Sequence, residues 1–93
     1  MADAARYQAV GHRERLRQRF FKSGLEGFHD YEVVELLLTL GSPRRDCKIP
    51  AKDAIKRFGS LQGVLEASPE ELQRVTGIGP RNAFGERLVR AVA

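Results

Sequence analysis

A short turn between two helices, at residues 75–83, constrains the fold of this chain more than any other segment. Upstream of it, Ser68 is a good helix N-cap and Glu71 can complete a capping box. Gly77 ends that helix, because the residue after a helix often takes a positive φ that glycine reaches without strain. Pro80 then suits the first position of the next helix. The segment therefore predicts two helices joined by only a few residues.

The start of the second helix has the features of an anion site. Gly77 and Gly79 are expected to bring bare backbone N–H groups to the surface, with Ile78 between them. A helix N-terminus with exposed N–H donors attracts negative charge, and Arg81 and Asn82 add side-chain donors beside it. On a chain with a net charge of +4, this pattern predicts binding to a nucleic-acid phosphate. The alternative is an ordinary turn with solvated side chains.

A second basic segment follows the helix-breaking residues 41–43. Residues 44–58 contain six Lys or Arg residues and two acidic residues. Arg44, Arg45 and Lys48 lie at its start and are predicted to contact phosphate as well. A solvated basic surface is the alternative for these three side chains.

The apolar residues recur at spacings of three and four, which favours helices, and no segment shows the alternation of a strand. The sequence predicts an all-α domain of five to six short helices. They are expected near residues 12–22, 30–40, 51–58, 61–65, 69–75 and 81–93. A single domain at residues 12–93 would then follow a flexible N-terminal arm at residues 1–11.

Two of the predicted helices are amphipathic in a way that suggests how they pack. The polar positions Glu32, Glu35 and Thr39 form one narrow stripe on the second helix. We expect that stripe to face water while the rest of this central helix is buried. On the sixth helix, four apolar residues share one face: Phe84, Leu88, Ala91 and Val92.

Residues 72–83 resemble the second half of a helix-hairpin-helix motif, with the pattern hydrophobic-x-Gly-hydrophobic-Gly-x-x-x-Ala. Val75, Gly77, Ile78, Gly79 and Ala83 fill its places. Five further segments resemble the amino-terminal region of the RadC family: residues 12–17, 24–32, 35–38, 43–46 and 57–61. This resemblance runs from about His12 to the end. It implies a tandem helix-hairpin-helix bundle, similar to a SAM domain, in which two motifs face a DNA duplex across its minor groove.

The resemblance also implies a function. A domain of this kind would bind duplex or branched DNA through its phosphates with little sequence preference, in a RadC-like DNA repair or recombination protein. The first hairpin departs from the motif because residues 41–43 lack the second glycine. RadC-like proteins resemble one another in a C-terminal domain of the JAB metalloprotease type. This chain is expected to be excised from such a protein, and that domain is one candidate partner. The alternative function is protein interaction or dimerisation by the same fold.

Catalysis, a metal site and a cofactor are not expected. Glycosylases with this motif need an aspartate downstream of the hairpin, but the last aspartate here is Asp53. His12 and His29 have no partners at the spacing of metal ligands. The single cysteine, Cys47, favours a reducing compartment, the cytoplasm. The longest apolar run, residues 36–38, is too short for a membrane span.

Overall fold

The computed structural model describes residues 2–42 and 46–93, and these residues form six α-helices and no strand. The helices are α1 Ala2–Ser23, α2 Asp30–Thr39, α3 Lys48–Phe58, α4 Leu61–Glu66, α5 Pro69–Leu72 and α6 Pro80–Val92. The prediction of an all-α domain with five to six helices is confirmed. Within the two described ranges, no helix combines the length and the apolar character that crossing a membrane requires.

The ends of α5 follow the capping residues that the sequence predicts. The Ser68 hydroxyl accepts a hydrogen bond from the Glu71 amide, and the Glu71 carboxylate accepts one from the Ser68 amide, both at 3.1 Å. Gly77 has a φ of 95°, and a Cβ atom there would lie 2.6 Å from Cγ of Pro50. Conformation and close packing therefore both require glycine at this position.

Two helices begin earlier than predicted. Helix α3 begins at Lys48, three residues before its predicted start. Helix α2 begins at Asp30 as predicted, and the amide of its N-cap residue His29 donates to the Glu32 carboxylate at 3.0 Å. Helix α1 begins at Ala2, ten residues before the predicted start, because residues 2–10 contain several alanines and neither glycine nor proline. The flexibility of residues 1–11 and a domain boundary at residue 12 stay predictions.

The core lies between α2, α3, α4 and the segment that leads from α5 into α6. It is built from small and branched apolar side chains, including Val34, Leu38, Ala51, Val64 and Ile78. Helix α2 packs against α1, α3, α4 and α6, so its predicted central position is confirmed.

The polar stripe of α2 faces the protein interior, contrary to prediction: Glu32, Glu35 and Thr39 are all buried. The reason is that α1 covers the two glutamates and supplies their partners, while the Thr39 hydroxyl donates to the Leu36 carbonyl within α2. Arg19 Nη1 lies 2.7 Å from Oε2 of Glu32, and His12 Nε2 lies 2.7 Å from Oε2 of Glu35. Burial raises the pKa of Glu35, while the neighbouring His12 opposes that shift. Leu36 and Leu37, on another side of α2, are consequently only half-buried.

Helix α6 also buries a carboxylate, that of Glu86. Glu86 is 3% exposed, and neither of its carboxylate oxygens has a hydrogen-bond partner among the described residues. Burial raises the pKa of Glu86, with Arg90 and Arg87 opposing the shift. An unpaired carboxylate in this position destabilises the folded state at neutral pH.

We expect Glu86→Met to raise the free energy of unfolding at pH 7 by about 1 kcal/mol, since it removes a buried charge without shortening the side chain. The folded-state pKa is raised, so the destabilisation is present above that pKa and disappears as the pH falls toward the unfolded value of 4.5. Urea unfolding of both proteins across this pH range measures the difference. The exposed Glu26→Met is the control and should change little. A gain that is equal at all pH values would contradict the assignment.

Candidate nucleic-acid interface

The loop that follows α2 is in direct contact with the start of α6. The Asn82 side-chain amide donates hydrogen bonds to the Leu38 carbonyl and to the Ser42 hydroxyl, both at 2.7 Å. A Cβ atom on Gly41 would lie 2.6 Å from the backbone nitrogen of Asn82. The helix backbone therefore packs directly against a glycine, and residues 41–42 and 79–82 form one continuous edge of the molecule.

The second hairpin also contacts the start of α3, through the packing of Gly77 on Pro50. Pro50 lies in the first turn of α3, and Lys48 is the first residue of that helix. The Lys48 amide donates to the Asp46 carboxylate at 2.9 Å, which caps the helix start. The first turns of α3 and α6 thus lie on either side of residues 77–79.

The structure brings some of the predicted site residues to this edge and buries others. Arg81 is exposed and Lys48 is half-buried, each in the first turn of its helix. Ile78 is 5% exposed and belongs to the core. Arg44 and Arg45 lie outside the described residues.

Gly79 has a different environment from the one predicted. Its amide donates to Oδ1 of Asn82 at 3.0 Å, so this N–H group is not bare. Its φ of −104° and ψ of −175° are extended values that any residue adopts. An added Cβ would meet only Oδ1 of Asn82, at 3.9 Å. The glycine is therefore not required by the fold, and a side chain there would project from the edge without a clash.

Asn82 is a structural residue in this arrangement. It is 3% exposed, and its amide group uses its oxygen for Gly79 and its nitrogen for Leu38 and Ser42. An amide nitrogen has only two hydrogens to donate, and both are used. Asn82 therefore holds the two loops together and has no side-chain donor left for a phosphate.

The donors that remain at the start of α6 are the Arg81 amide and guanidinium and the backbone amide of Asn82. Pro80 has no N–H group, and the first N–H groups of a helix have no acceptor within the helix. The Arg81 amide and guanidinium therefore accompany the positive end of the helix dipole, a combination that favours an anion. Sequence reasoning missed Gly41 and Ser42, which it interpreted only as the end of α2. A glycine next to a polar residue at a helix end was the available signal.

Comparison with known proteins identifies the family. Residues 8–84 match the family described as UPF0758 N-terminal. A UPF0758 protein from Fusobacterium nucleatum is 48% identical over 69 residues, which are 74% of this chain and 30% of the relative. The chain thus spans less than a third of the length of that relative. No solved structure shows a significant match. The chain belongs to the UPF0758 N-terminal family, which is the amino-terminal domain family of the RadC-like proteins.

Proposed function

We propose that this domain binds the phosphate backbone of duplex or branched DNA. The observation that carries the proposal is the joined edge of the two loops, where the first turns of α3 and α6 lie on either side of residues 77–79. Each turn has a cation, Lys48 or Arg81. The start of α6 combines Arg81 with the positive end of a helix dipole, whereas at α3 the Lys48 amide already donates to the Asp46 carboxylate. The net charge of +4 supports the same ligand.

Binding without base preference follows from the kind of group at this edge. Backbone amides and isolated cations at helix starts contact phosphates, which position a protein on DNA but carry no sequence information. A set of side chains suited to base edges would be needed for sequence preference. We further propose, from the RadC-like family, that the whole protein acts in DNA repair or recombination. The single cysteine, Cys47, supports a cytoplasmic location.

Arg81→Ala is expected to weaken binding to every duplex sequence alike and to lower the log–log salt slope by about one, because one phosphate contact is lost. Wild-type affinities should be non-specific, with Kd values of about 10⁻⁴ to 10⁻⁶ M at physiological salt. Gly79→Val should also weaken binding while the fold is retained, since the backbone there is extended and unobstructed. Fluorescence anisotropy of a labelled duplex at several salt concentrations measures both effects.

The matched control is Arg57→Ala. It removes the same charge from the last turn of α3, about 14 Å along the helix from Lys48 at 1.5 Å per residue. Equal losses for Arg57→Ala and Arg81→Ala would show that only the net charge matters. Binding that does not change with salt would refute phosphate contact as the driving interaction.

Protein interaction or dimerisation is the second candidate function, and a separate observation favours it. Large apolar side chains of α1 and α6 are exposed, among them Phe21 at 84% and Phe84 at 68%. They lie away from the core, on a surface formed by residues of α1, α2, α4 and α6. Exposed apolar surface of this extent is typical of an interface.

A further inference from the structure

An open apolar groove runs along the flank of α2 that α1 leaves uncovered. Its volume is about 640 Å³. Four helices line it, with Phe20 and Phe21 from α1, Leu36 and Leu37 from α2, Leu65 from α4 and Val89 from α6. Helix α1 therefore buries Glu32 and Glu35 but leaves Leu36 and Leu37 of α2 partly accessible.

Next to the groove, α6 presents an apolar ridge to solvent. Phe84, Leu88 and Val92 follow one another at intervals of four residues and are 68%, 51% and 80% exposed. Residues at this spacing share one face of a helix. Val89 lies against both the groove and the shallower depression beside Phe84 and Leu88, so ridge and groove form one continuous surface.

The extent of this surface exceeds what a small monomer usually exposes. Eight of its large apolar side chains are at least 40% exposed: Phe20, Phe21, Leu25, Leu40, Phe84, Leu88, Val89 and Val92. Together they expose on the order of 800 Å², which is about what each partner contributes to a standard protein interface. The largest apolar patch of a typical monomer is about 300–600 Å².

We propose that a second copy of this chain covers this surface, with α6 of each copy lying in the groove of the other around a twofold axis. A twofold interface uses the same patch on both partners, so the patch must contain both the ridge and the groove that receives it. This surface contains both. The inference rests on the second candidate function and is independent of DNA binding.

Sedimentation velocity of the wild-type chain across the micromolar range tests the inference. The expected result is a species of twice the 10.4 kDa chain mass that dissociates on dilution. Phe21→Glu and Leu88→Glu should each abolish the dimer, because both side chains are exposed in the single chain and buried in the proposed pair. Far-UV circular dichroism checks that both variants remain helical.

Ile49→Glu is the matched control. Ile49 is 68% exposed, as Phe84 is, but it lies on α3 and does not line the groove. This variant should remain dimeric. A wild-type chain that is monomeric throughout would overturn the inference, as would equal dissociation of all three variants. DNA affinity measured in parallel separates the two proposals, since a monomer that still binds DNA removes only this one.

Discussion

Asn82→Ala is expected to lower the free energy of unfolding by about 3 kcal/mol, because it leaves buried polar groups without partners. The variant removes three hydrogen bonds, to the Gly79 amide, the Leu38 carbonyl and the Ser42 hydroxyl. Two of these join segments that are forty or more residues apart in the chain. For a domain of this size, the melting temperature should fall by about 15 °C.

Thermal and urea unfolding, followed by circular dichroism, measure this loss. Gln73→Ala is the control, since its amide also donates to a carbonyl, that of Pro69, but at an exposed position. That variant should be within about 0.5 kcal/mol of wild type. Asn82→Asp should rescue little, because it keeps the acceptor for Gly79 but loses both donors. A stable Asn82→Ala protein would show that the two loops are held together by other contacts.

Gly41→Ala is expected to lower the free energy of unfolding by about 2 kcal/mol, by overpacking the contact between the two loops. Its Cβ would lie 2.6 Å from backbone atoms of both Arg81 and Asn82, and a helix backbone cannot turn away as a side chain can. Relief requires α6 to move away from α2, which stretches the hydrogen bonds of Asn82 as well. The effects of Gly41→Ala and Asn82→Ala should therefore be less than additive.

A double-mutant cycle of these two substitutions, measured by urea unfolding, tests the coupling. Gly79→Ala provides the steric control, because a Cβ there has no contact closer than 3.9 Å and the backbone is extended. It should leave stability nearly unchanged. If Gly41→Ala were as stable as Gly79→Ala, the direct contact of the helix backbone with Gly41 would be wrong.

The order of the helices was predictable because short-range chemistry sets their ends. Ser68 and Glu71 cap α5 through contacts within four residues, and Gly77 takes a conformation that few other residues reach. The direction in which α2 faces was not predictable in the same way. Periodicity shows that Glu32 and Glu35 share a face of α2. Whether that face is exposed to solvent depends on where α1 packs.

In the candidate site, too, short-range patterns predicted some features, whereas others depend on tertiary packing. Arg81 was correctly placed in the first turn of α6 from Pro80 and the preceding glycines. Asn82 was predicted to donate to a ligand, although its place three residues after Gly79 is the one from which a side chain reaches back to the N-cap amide. Its further bonds to Leu38 and Ser42 depend on the tertiary approach of α2, which no local pattern contains.

The contact between α1 and α2 contains more charged groups than the core does, so its detachment should have a different heat-capacity change. Leu16 is 1% exposed, but the neighbouring contacts of α1 are polar: Arg19 pairs with Glu32, His12 contacts Glu35 and Arg13 donates to Cys47. Detaching α1 would hydrate carboxylates together with apolar atoms, and these two kinds of surface change the heat capacity in opposite directions. The partial opening of α1 therefore has a flatter temperature dependence than global unfolding, and dissolved salt shifts it more.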